Sequence, residues 1–370
     1  MALQLVHLNK NSDCWDQFYR LPEKIYGNDA NYCNASIESS KKNVNRPEFI
    51  NRQLPLLVVD GSESIARLVV RTTDNLARTE SVEIGLFGFF ESKNNAEAVK
   101  LLFDEGIKWL VRQGISTIIG PMDGDTWHKY RFNVGPFDSR PFMMEPYNPD
   151  YYSNLWEKYG FCVLSKYYSK RVLDIENILP KFERIYNQSQ RGYFRFRRFR
   201  LDVFDDELKI LYDLSCRIFT NNYYYSKISE KDFLSLYKDL KYIIDPNLVW
   251  FCQDKNNGYA GFIFSFPDYF DSLKSMNGKS SLWARTKFLL NRKNADILNI
   301  KTLGITPESR GMGLGHALMY KVYYEGLKLG YKKANMCLIH EENASSRMDG
   351  GQGIIFRHYH LYSYLVSIRK

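Results

Sequence analysis

The sequence predicts an α/β fold in which strands and helices mix within each of two successive domains. The chain has 370 residues, which exceeds the roughly 100–200 residues of an ordinary domain. A polar, irregular segment at 176–191, with Pro180 inside it and Gly192 after it, interrupts the pattern. We therefore predict domains at 1–175 and 192–370, joined by a linker at 176–191.

The second half alternates strand-like and helical segments. Leu314, Leu318 and Val322 recur at i, i+4 and i+8, which predicts a helix at 313–329. The apolar segments on either side of the turn at 254–258 predict a β-hairpin. The other predictions are strands at 193–203, 296–305 and 334–339, a pair of strands within 354–366, helices at 205–219, 230–240 and 343–349, and a polar insert at 267–295.

The first half follows a similar order. Its predicted strands are 3–8, 54–59, 64–73, 82–90 and 116–119, and its predicted helices are 13–19 and 96–112. The order β-α-ββ-β-α-β thus occurs twice, which indicates an architectural repeat.

Composition and charge narrow the class of protein. Apolar residues make up 44% of the chain and charged residues 25%, which is ordinary for a globular protein. The six cysteines form no CxxC pair, no apolar run approaches the ~18 residues of a membrane span, and the first residues lack a signal-peptide core. We expect a cytoplasmic protein without a membrane partner. The net charge of +9 is compatible with an anionic ligand.

The strongest motif is the glycine-rich segment Arg310–Gly315, RGMGLG, between a predicted strand and a predicted helix. Glycines allow close approach and unusual φ angles, and the N–H groups at the start of a helix favour an anion. The segment lacks the Gly-Lys-Ser/Thr of a Walker loop, and its spacing differs from the dinucleotide motif GxGxxG. It therefore predicts a pyrophosphate-binding loop of another kind.

These residues resemble a known superfamily. Arg310–Gly315 fits the R/Q-x-x-G-x-G/A signature of the GNAT acyltransferases, and the segments 340–346 and 356–362 resemble the later parts of that fold. The segments 120–131 and 144–149 resemble bacterial two-domain GNAT-like proteins of undefined substrate. The resemblance implies two tandem GNAT-like domains, each a mixed, mostly antiparallel sheet flanked by helices. The first half lacks the loop signature, so its domain is expected to be degenerate.

The resemblance also implies an acyl-CoA co-substrate, with acetyl-CoA as the default. The loop amides would hold the pyrophosphate of CoA, and strand 303–305 would pair with the pantetheine amides. Asn343 would hydrogen-bond the pantetheine arm or cap the following helix. The expected cofactor-binding residues are Leu303, Gly304, Ile305, Arg310, Gly311, Met312, Gly313, Leu314, Gly315 and Asn343, and no metal is expected.

The familiar catalytic groups of the superfamily are missing. Many relatives carry a Tyr where this chain has Gly350, and a Glu where it has Asn299. His340, Glu341 and Tyr362 are the candidate substitutes, and His340 has a suitable intrinsic pKa. A strand-end role for the histidine, core packing for the tyrosine and a water molecule as the base remain alternatives.

The first half also offers a candidate acceptor site. The segment 123–131 is rich in charged and aromatic side chains, and such loops commonly build binding sites. We expect an interdomain cleft formed with 267–269, or else a purely structural loop. The expected substrate-binding residues are Asp123, Trp127, Tyr130, Arg131 and Tyr269.

The resemblance implies transfer of an acyl group, acetyl by default, to a primary amine of a small molecule or peptide, in a monomer or homodimer. Two alternatives remain. A Fem-type aminoacyl transferase would use aminoacyl-tRNA, and the basic run at 191–200 would then track phosphates. That run also fits an exposed strand, and nucleic acid is the less expected partner. A non-catalytic acyl-CoA-binding module is the other alternative.

Overall fold

The computed structural model describes residues 2–27, 29–33, 36–76, 83–222, 224–276, 281–292 and 295–366. They form two units that are each discontinuous in sequence. The first unit comprises Met1–Lys166, Phe270–Asn291 and Tyr359–Lys370, and the second comprises Tyr167–Tyr269 and Arg292–His358.

The first unit is built on a mixed sheet. Its strands are β1 (Leu3–His7), β2 (Gln53–Asp60), β3 (Glu63–Thr73), β4 (Ile84–Ser92), β5 (Thr117–Gly120), β6 (Phe132–Gly135), the first part of β7 (Cys162–Val172) and the last part of β13 (Ile354–Leu365). Its helices are α1 (Trp15–Tyr26), α2 (Ile37–Val44), α3 (Ala96–Val111), α4 (Tyr151–Tyr159), α8 (Phe270–Met276) and α9 (Leu282–Asn291).

The sheet of the first unit has the order β1-β2-β3-β4-β5-β13. All neighbours are antiparallel except β4 and β5, which α3 connects in parallel. Phe87, Phe103 and Trp156 lie in the buried core between the sheet, α3 and α4. The aromatic residues that are abundant in the sequence thus fill this core.

The second unit contains the remaining elements. They are the rest of β7, α5 (Ile175–Arg191), β8 (Arg195–Arg198), α6 (Phe204–Phe219), α7 (Glu230–Tyr237), β9 (Val249–Gln253), β10 (Tyr259–Pro267), β11 (Ile297–Ile305), α10 (Leu314–Lys328), β12 (Lys333–His340) and the start of β13.

The sheet of the second unit repeats the pattern of the first. Its order is β8-β9-β10-β11-β12-β7, and only β11 and β12 are parallel, with α10 between them. In each sheet, the last strand comes from the other half of the sequence, because β7 closes the second sheet and β13 the first. The predicted α/β fold and the internal repeat are confirmed.

The residues of the predicted linker, 176–191, lie within helix α5. Asp174 caps its start by accepting hydrogen bonds from the N–H groups of Glu176 and Asn177. Ile178 and Phe182 are buried on one side of the helix. The polar composition reflects an amphipathic helix with one solvated face, and Pro180 lies within it. The two units of the structure, which include exchanged strands, have other bounds than the predicted domains 1–175 and 192–370.

Other segments differ in extent. The predicted polar insert contains α8 and α9, while its residues 277–280 and 293–294 lie outside the described ranges. The strand predicted from Val82 is described from Ile84, since Val82 also lies outside them. No described helix combines the length and apolar character that crossing a membrane requires.

Candidate functional site

The two parallel strands of the second unit diverge. β11 and β12 pair from Ile297 opposite Lys333 to Ile300 opposite Met336, and their pairing ends there. β11 continues along β10 as far as Ile305, while β12 continues along β7. The edge of β11 at 302–305 that faces away from β10 therefore has no strand partner in the described chain. An extended ligand with amide groups could add to such an edge.

Local irregularities hold the strands apart. The β10–β11 register shifts between Phe264 and Ser265, and the β12–β7 register shifts between Met336 and Ile339. Within the second shift Leu338 has a φ of 58°, and its N–H donates to Oγ of the buried Ser169 at 3.0 Å. The β12 backbone is thus turned toward β7 rather than β11.

The glycine-rich loop connects the open edge to helix α10. Gly311 and Gly313 have φ angles of 81° and 74°, in the left-handed region that favours glycine. The N–H groups of residues 311–316 donate to no acceptor in the described part of the chain. They include the first N–H groups of α10, where the helix dipole is positive. This arrangement fits a diphosphate, as the sequence predicts.

Arg310 supports the loop from behind. Its guanidinium donates through Nε to the carbonyl of Ile305 at 3.4 Å and through Nη2 to that of Ile218 at 3.3 Å. Gly315 lies against Met348, whose Cε would be 2.6 Å from a Cβ built at that position. Arg310 therefore positions the loop, and Gly315 permits close packing beneath it.

The other residues predicted to bind the cofactor lie in β11, in the glycine-rich loop and in the turn after β12. Leu303 and Gly304 are in the open part of β11, and Met312 and Leu314 flank Gly313, with Met312 exposed and Leu314 buried. Asn343 caps the short turn that follows β12, because its Oδ1 accepts from the N–H of Ser345 at 3.0 Å. The capping alternative is thus the one that the structure describes for Asn343.

Two catalytic candidates lie where β12 ends: His340 is its last residue, and Glu341 follows it. His340 is half-buried and pairs with Tyr167, whose ring packs edge-on at 5.0 Å between centroids. The N–H of Glu342 donates to Nδ1 of His340 at 3.2 Å, so the neutral ring carries its proton on Nε2. Glu341 is exposed beside it.

Tyr362 lies elsewhere, in the core of the first unit. Its side chain is fully buried and its hydroxyl donates to Glu157 at 2.8 Å. Burial and the neighbouring carboxylate of Glu157 raise the pKa of Tyr362. The structure thus describes Tyr362 as a packed core residue, and its catalytic role stays a prediction.

A chain of buried polar side chains, which no local sequence pattern predicts, crosses the second sheet next to the point of divergence. Nδ2 of Asn299 donates to Asp268 at 3.3 Å, and Nδ2 of Asn335 donates to Asn299 at 2.9 Å. Nε of Arg171 donates to Asn335 at 2.8 Å. Asn299, at the position where many relatives carry Glu, is therefore linked to a carboxylate from the end of β10.

In the first unit, the gap that corresponds to the divergence of β11 and β12 lies between β4 and β5, and residues of the same unit fill it. Among the described residues, β4 and β5 pair through Gly85–Ile118 and Leu86–Ile119. Beyond them the N–H of Met122 donates to the carbonyl of Phe87 at 2.8 Å.

A side chain completes this closure. Oδ1 of Asp123 accepts from the N–H of Phe89 at 2.6 Å, while burial raises the pKa of Asp123 against the opposing effects of that bond and of nearby cations. A Cβ at Gly88 would overlap the carbonyl oxygen of Met122. Asp123 therefore joins two backbone segments, and its role in substrate binding stays a prediction.

The neighbouring loop is also internally bonded. Oδ1 of Asp125 accepts from the N–H of Trp127 at 2.8 Å and lies 2.7 Å from Nδ1 of His128, and Oδ2 lies 2.6 Å from Nη2 of Arg46. Burial alone would raise the pKa of Asp125, but His128 and Arg46 outweigh it and lower the pKa to about 2. These bonds describe a structural role for the loop, and acceptor binding by it stays a prediction.

Other residues that were predicted for the acceptor site are also held by packing. Arg131 is buried, has a φ of 84°, and stacks on Tyr130 at 3.8 Å from the ring centroid. Tyr269, in the second unit, is buried, and its burial and nearby charges raise its pKa to about 12. Within the described ranges, no group of three His, Cys, Asp or Glu side chains could hold a metal ion.

The two sheets, the exchanged last strands and the divergent parallel pair define the fold. The chain has a tandem GNAT fold. A tandem GNAT protein from the clavulanic acid biosynthesis pathway matches over the full length of both chains, with a TM-score of 0.54 and 9% identity. A probable N-acyltransferase of unknown function from Enterococcus faecalis matches all of this chain and 74% of its own, with a TM-score of 0.57 and 8% identity.

A third structure is the GCN5-related glucosamine N-acetyltransferase region of a fungal multi-domain β-N-acetylglucosaminidase. It covers 98% of this chain, with a TM-score of 0.55 and 14% identity, and this chain spans 38% of its length. At such identities these likenesses establish the fold.

Two curated proteins are similar in sequence. A bacterial ceramide synthase of Caulobacter vibrioides is 20% identical over 88% of both chains. Protein YghO of Escherichia coli is 21% identical over 83% of this chain and 80% of its own. No protein-family model matches the chain.

Proposed function

We propose that this protein transfers an acyl group from an acyl-CoA thioester to a primary amine. The observation that carries the proposal is the continuity between the open edge of β11 and the amides of residues 311–316. The open edge of β11 suits the amide groups of pantetheine, and the loop that follows it in the chain suits a diphosphate. CoA contains both groups in that order.

The donor would lie along β11. Main-chain groups of 302–305 would pair with the pantetheine amides, and the N–H groups of the loop would bind the pyrophosphate. Bound in this way, CoA supplies an activated acyl group whose thioester lies toward the point of divergence. The protein's contribution is then largely the positioning of an amine against that carbon.

His340 is proposed to stabilise the leaving group. It lies at the end of β12, on the other side of the divergence, and its Nδ1 already accepts a hydrogen bond. With the proton on Nε2, the neutral ring is suited to donate a hydrogen bond to the leaving thiolate, while the amine attacks in its neutral form. The proton that the amine loses as the amide forms passes to solvent, and the thiolate of CoA takes its proton from solvent.

The acceptor that we favour is a long-chain amino alcohol. A ceramide is the N-acyl derivative of such an amine, and the similarity to the ceramide synthase extends over 88% of both chains. The donor would then be a fatty acyl-CoA rather than acetyl-CoA.

The aminoacyl-tRNA alternative loses its main support. In the basic run, Arg197 and Arg200 both pair with the buried Glu207, at 2.7 and 3.3 Å, and Arg198 pairs with Glu325 at 2.9 Å. Arginines held in ion pairs release fewer counterions on binding a phosphate backbone.

The direct test is thiol release from acetyl-CoA and palmitoyl-CoA with three acceptors: a long-chain amino alcohol, a small diamine and a lysine peptide. We expect CoA release and an amide of the matching mass with the long-chain pair. Gly313→Val is the control, because a Cβ there would lie 2.9 Å from Cγ2 of Ile185. CoA binding without release by any amine would favour a binding module, and absence of CoA binding would exclude the proposal.

A further inference from the structure

We propose that helix α9 docks this protein onto an anionic lipid surface. The inference concerns a surface outside the acyl-CoA site and does not depend on the proposed reaction. It replaces the expectation, drawn from the sequence, that the protein has no membrane partner.

Helix α9 exposes large apolar side chains. Leu282 is 82% exposed, Trp283 68%, Leu289 52% and Leu290 69%. Isolated exposed apolar residues are ordinary on protein surfaces, whereas a contiguous group indicates an interaction site. Four such residues within one helix of 10 residues form a group of this kind.

The four side chains occupy one face. At about 100° per residue, Leu289, Leu282, Leu290 and Trp283 fall in sequence around an arc of about 120°, with only Thr286 among them. Ala284 and Phe288 are the buried residues of the helix and lie on the opposite face.

Cations border this apolar face on both sides. At the same 100° per residue, Arg285 falls beyond Leu289 and Lys287 beyond Trp283, and both are exposed. An apolar face flanked by basic residues, with a tryptophan among the apolar ones, is typical of helices that lie in the interface of a bilayer.

The charge of the whole segment has one sign. Residues 272–295 contain six Lys or Arg and no Asp or Glu. Basic segments are attracted to the negative potential of anionic lipids. The sign of the charge therefore selects an anionic membrane over a neutral one.

Contacts of α8 and of the opposite face of α9 hold the helix so that its apolar face is exposed. Helix α8 precedes α9 and is fixed to the first unit, because Nζ of Lys274 donates to the carbonyl of Ala30 and Nη2 of Arg140 lies 3.4 Å from Asp271. Ala284 and Phe288 hold α9 by its other side. Docking of this kind needs no membrane-spanning helix.

Vesicle flotation with the full chain tests the proposal. We expect binding to phosphatidylcholine vesicles that contain about 30% phosphatidylglycerol, little binding to phosphatidylcholine alone, and loss at high salt. The double variant Trp283→Ser/Leu290→Ser should bind about tenfold less. The matched control is Tyr193→Asn, which removes a side chain that is 74% exposed at a φ of 65°. It should bind as the unmodified protein does.

A second pair of variants tests the charge. Lys287→Glu should weaken binding to anionic vesicles several-fold, whereas Lys255→Glu, a change of the same charge at an exposed turn, should not. Melting temperatures establish that each variant is folded. The proposal is overturned if both members of either pair bind equally. It is also overturned if sedimentation shows that α9 joins two copies of the chain and vesicles bind neither form.

Discussion

Oδ1 of Asp123 and the N–H of Phe89 are joined by a hydrogen bond of 2.6 Å across the gap where β4 leaves β5. Phe89 has a φ of 52°, so the strand is irregular at this point, as β12 is at Leu338. In the second unit the corresponding gap stays open beside a glycine-rich loop. In the first unit a carboxylate and the backbone of Met122 fill it, which explains why one acyl-CoA site is expected rather than two.

The bond between Asp123 and Phe89 predicts the effect of removing it. Asp123→Ala leaves the N–H of Phe89 without its acceptor, which should cost about 1–3 kcal/mol of unfolding free energy. Asp123→Asn keeps an oxygen at that position and should cost less. Urea unfolding measures both, and equal losses would show that the hydrogen bond is not the source of the stability.

A comparison of two glycines can separate an effect on stability from an effect on ligand binding. Gly311 and Gly330 have φ angles of 81° and 92°, and an added Cβ would meet no atom within 4 Å at either position. Alanine at each should therefore cost a similar backbone strain of about 1–2 kcal/mol.

Only Gly311→Ala should affect the ligand. The loop of this variant relaxes from the conformation that aims its amides, and CoA should bind about tenfold more weakly by calorimetry. Equal CoA affinity in Gly311→Ala and Gly330→Ala would contradict a role of the loop in binding.

Asp125 predicts an acid-dependent loss of stability. Its pKa is lowered to about 2 in the folded protein, against about 3.9 in an unfolded chain. A lowered carboxyl pKa stabilises the fold above the unfolded pKa, and this stability disappears as the pH falls from about 4 to 2.

The variant Asp125→Asn should therefore be about 2 kcal/mol less stable than the unmodified protein at pH 6. The difference should shrink toward zero near pH 2. Urea unfolding across this range measures it, with Asp13→Asn, at an exposed carboxylate, as the control that should show no such trend. A difference independent of pH would mean that packing, not charge, explains the loss.

We predict opposite effects on turnover for substitutions of His340 and of Tyr362. His340→Asn keeps an acceptor near the position of Nδ1 for the N–H of Glu342 but has no donor at the position of Nε2, so kcat should fall about 10²-fold with little change in KM for the acyl-CoA. Tyr362→Phe removes the bond to Glu157 and should lower stability by about 1 kcal/mol while kcat is retained. Steady-state kinetics distinguishes the two, and the reverse result would return the catalytic role to Tyr362.

Local patterns in the sequence were enough to predict the loop and α10. The glycines at 311, 313 and 315 and the apolar spacing of Leu314, Leu318 and Val322 are short-range signals, and the fold retains them. Helix α5 was missed because Pro180 and many polar residues obscured the short apolar face of Ile175, Ile178 and Phe182.

Contacts between distant residues could not be predicted in this way. Tyr362 and Glu157 are 205 positions apart, and Asn299 lies 31 positions from Asp268. Such pairs depend on how strands are ordered in the sheets, which no local spacing specifies. The exposed apolar face of α9 was present in the sequence as Leu282, Trp283, Leu289 and Leu290, but only the fold shows that their side chains face outward.

The exchange of β7 and β13 has a consequence for how this polypeptide can be divided. A break in the α5 region would leave the amino-terminal fragment without the strand that finishes its sheet, and the same holds for the carboxy-terminal fragment. Each fragment would expose a row of unpaired main-chain groups, the surface through which sheets aggregate. Because of these exchanged strands, neither repeat has a complete sheet without sequence from the other half of the chain.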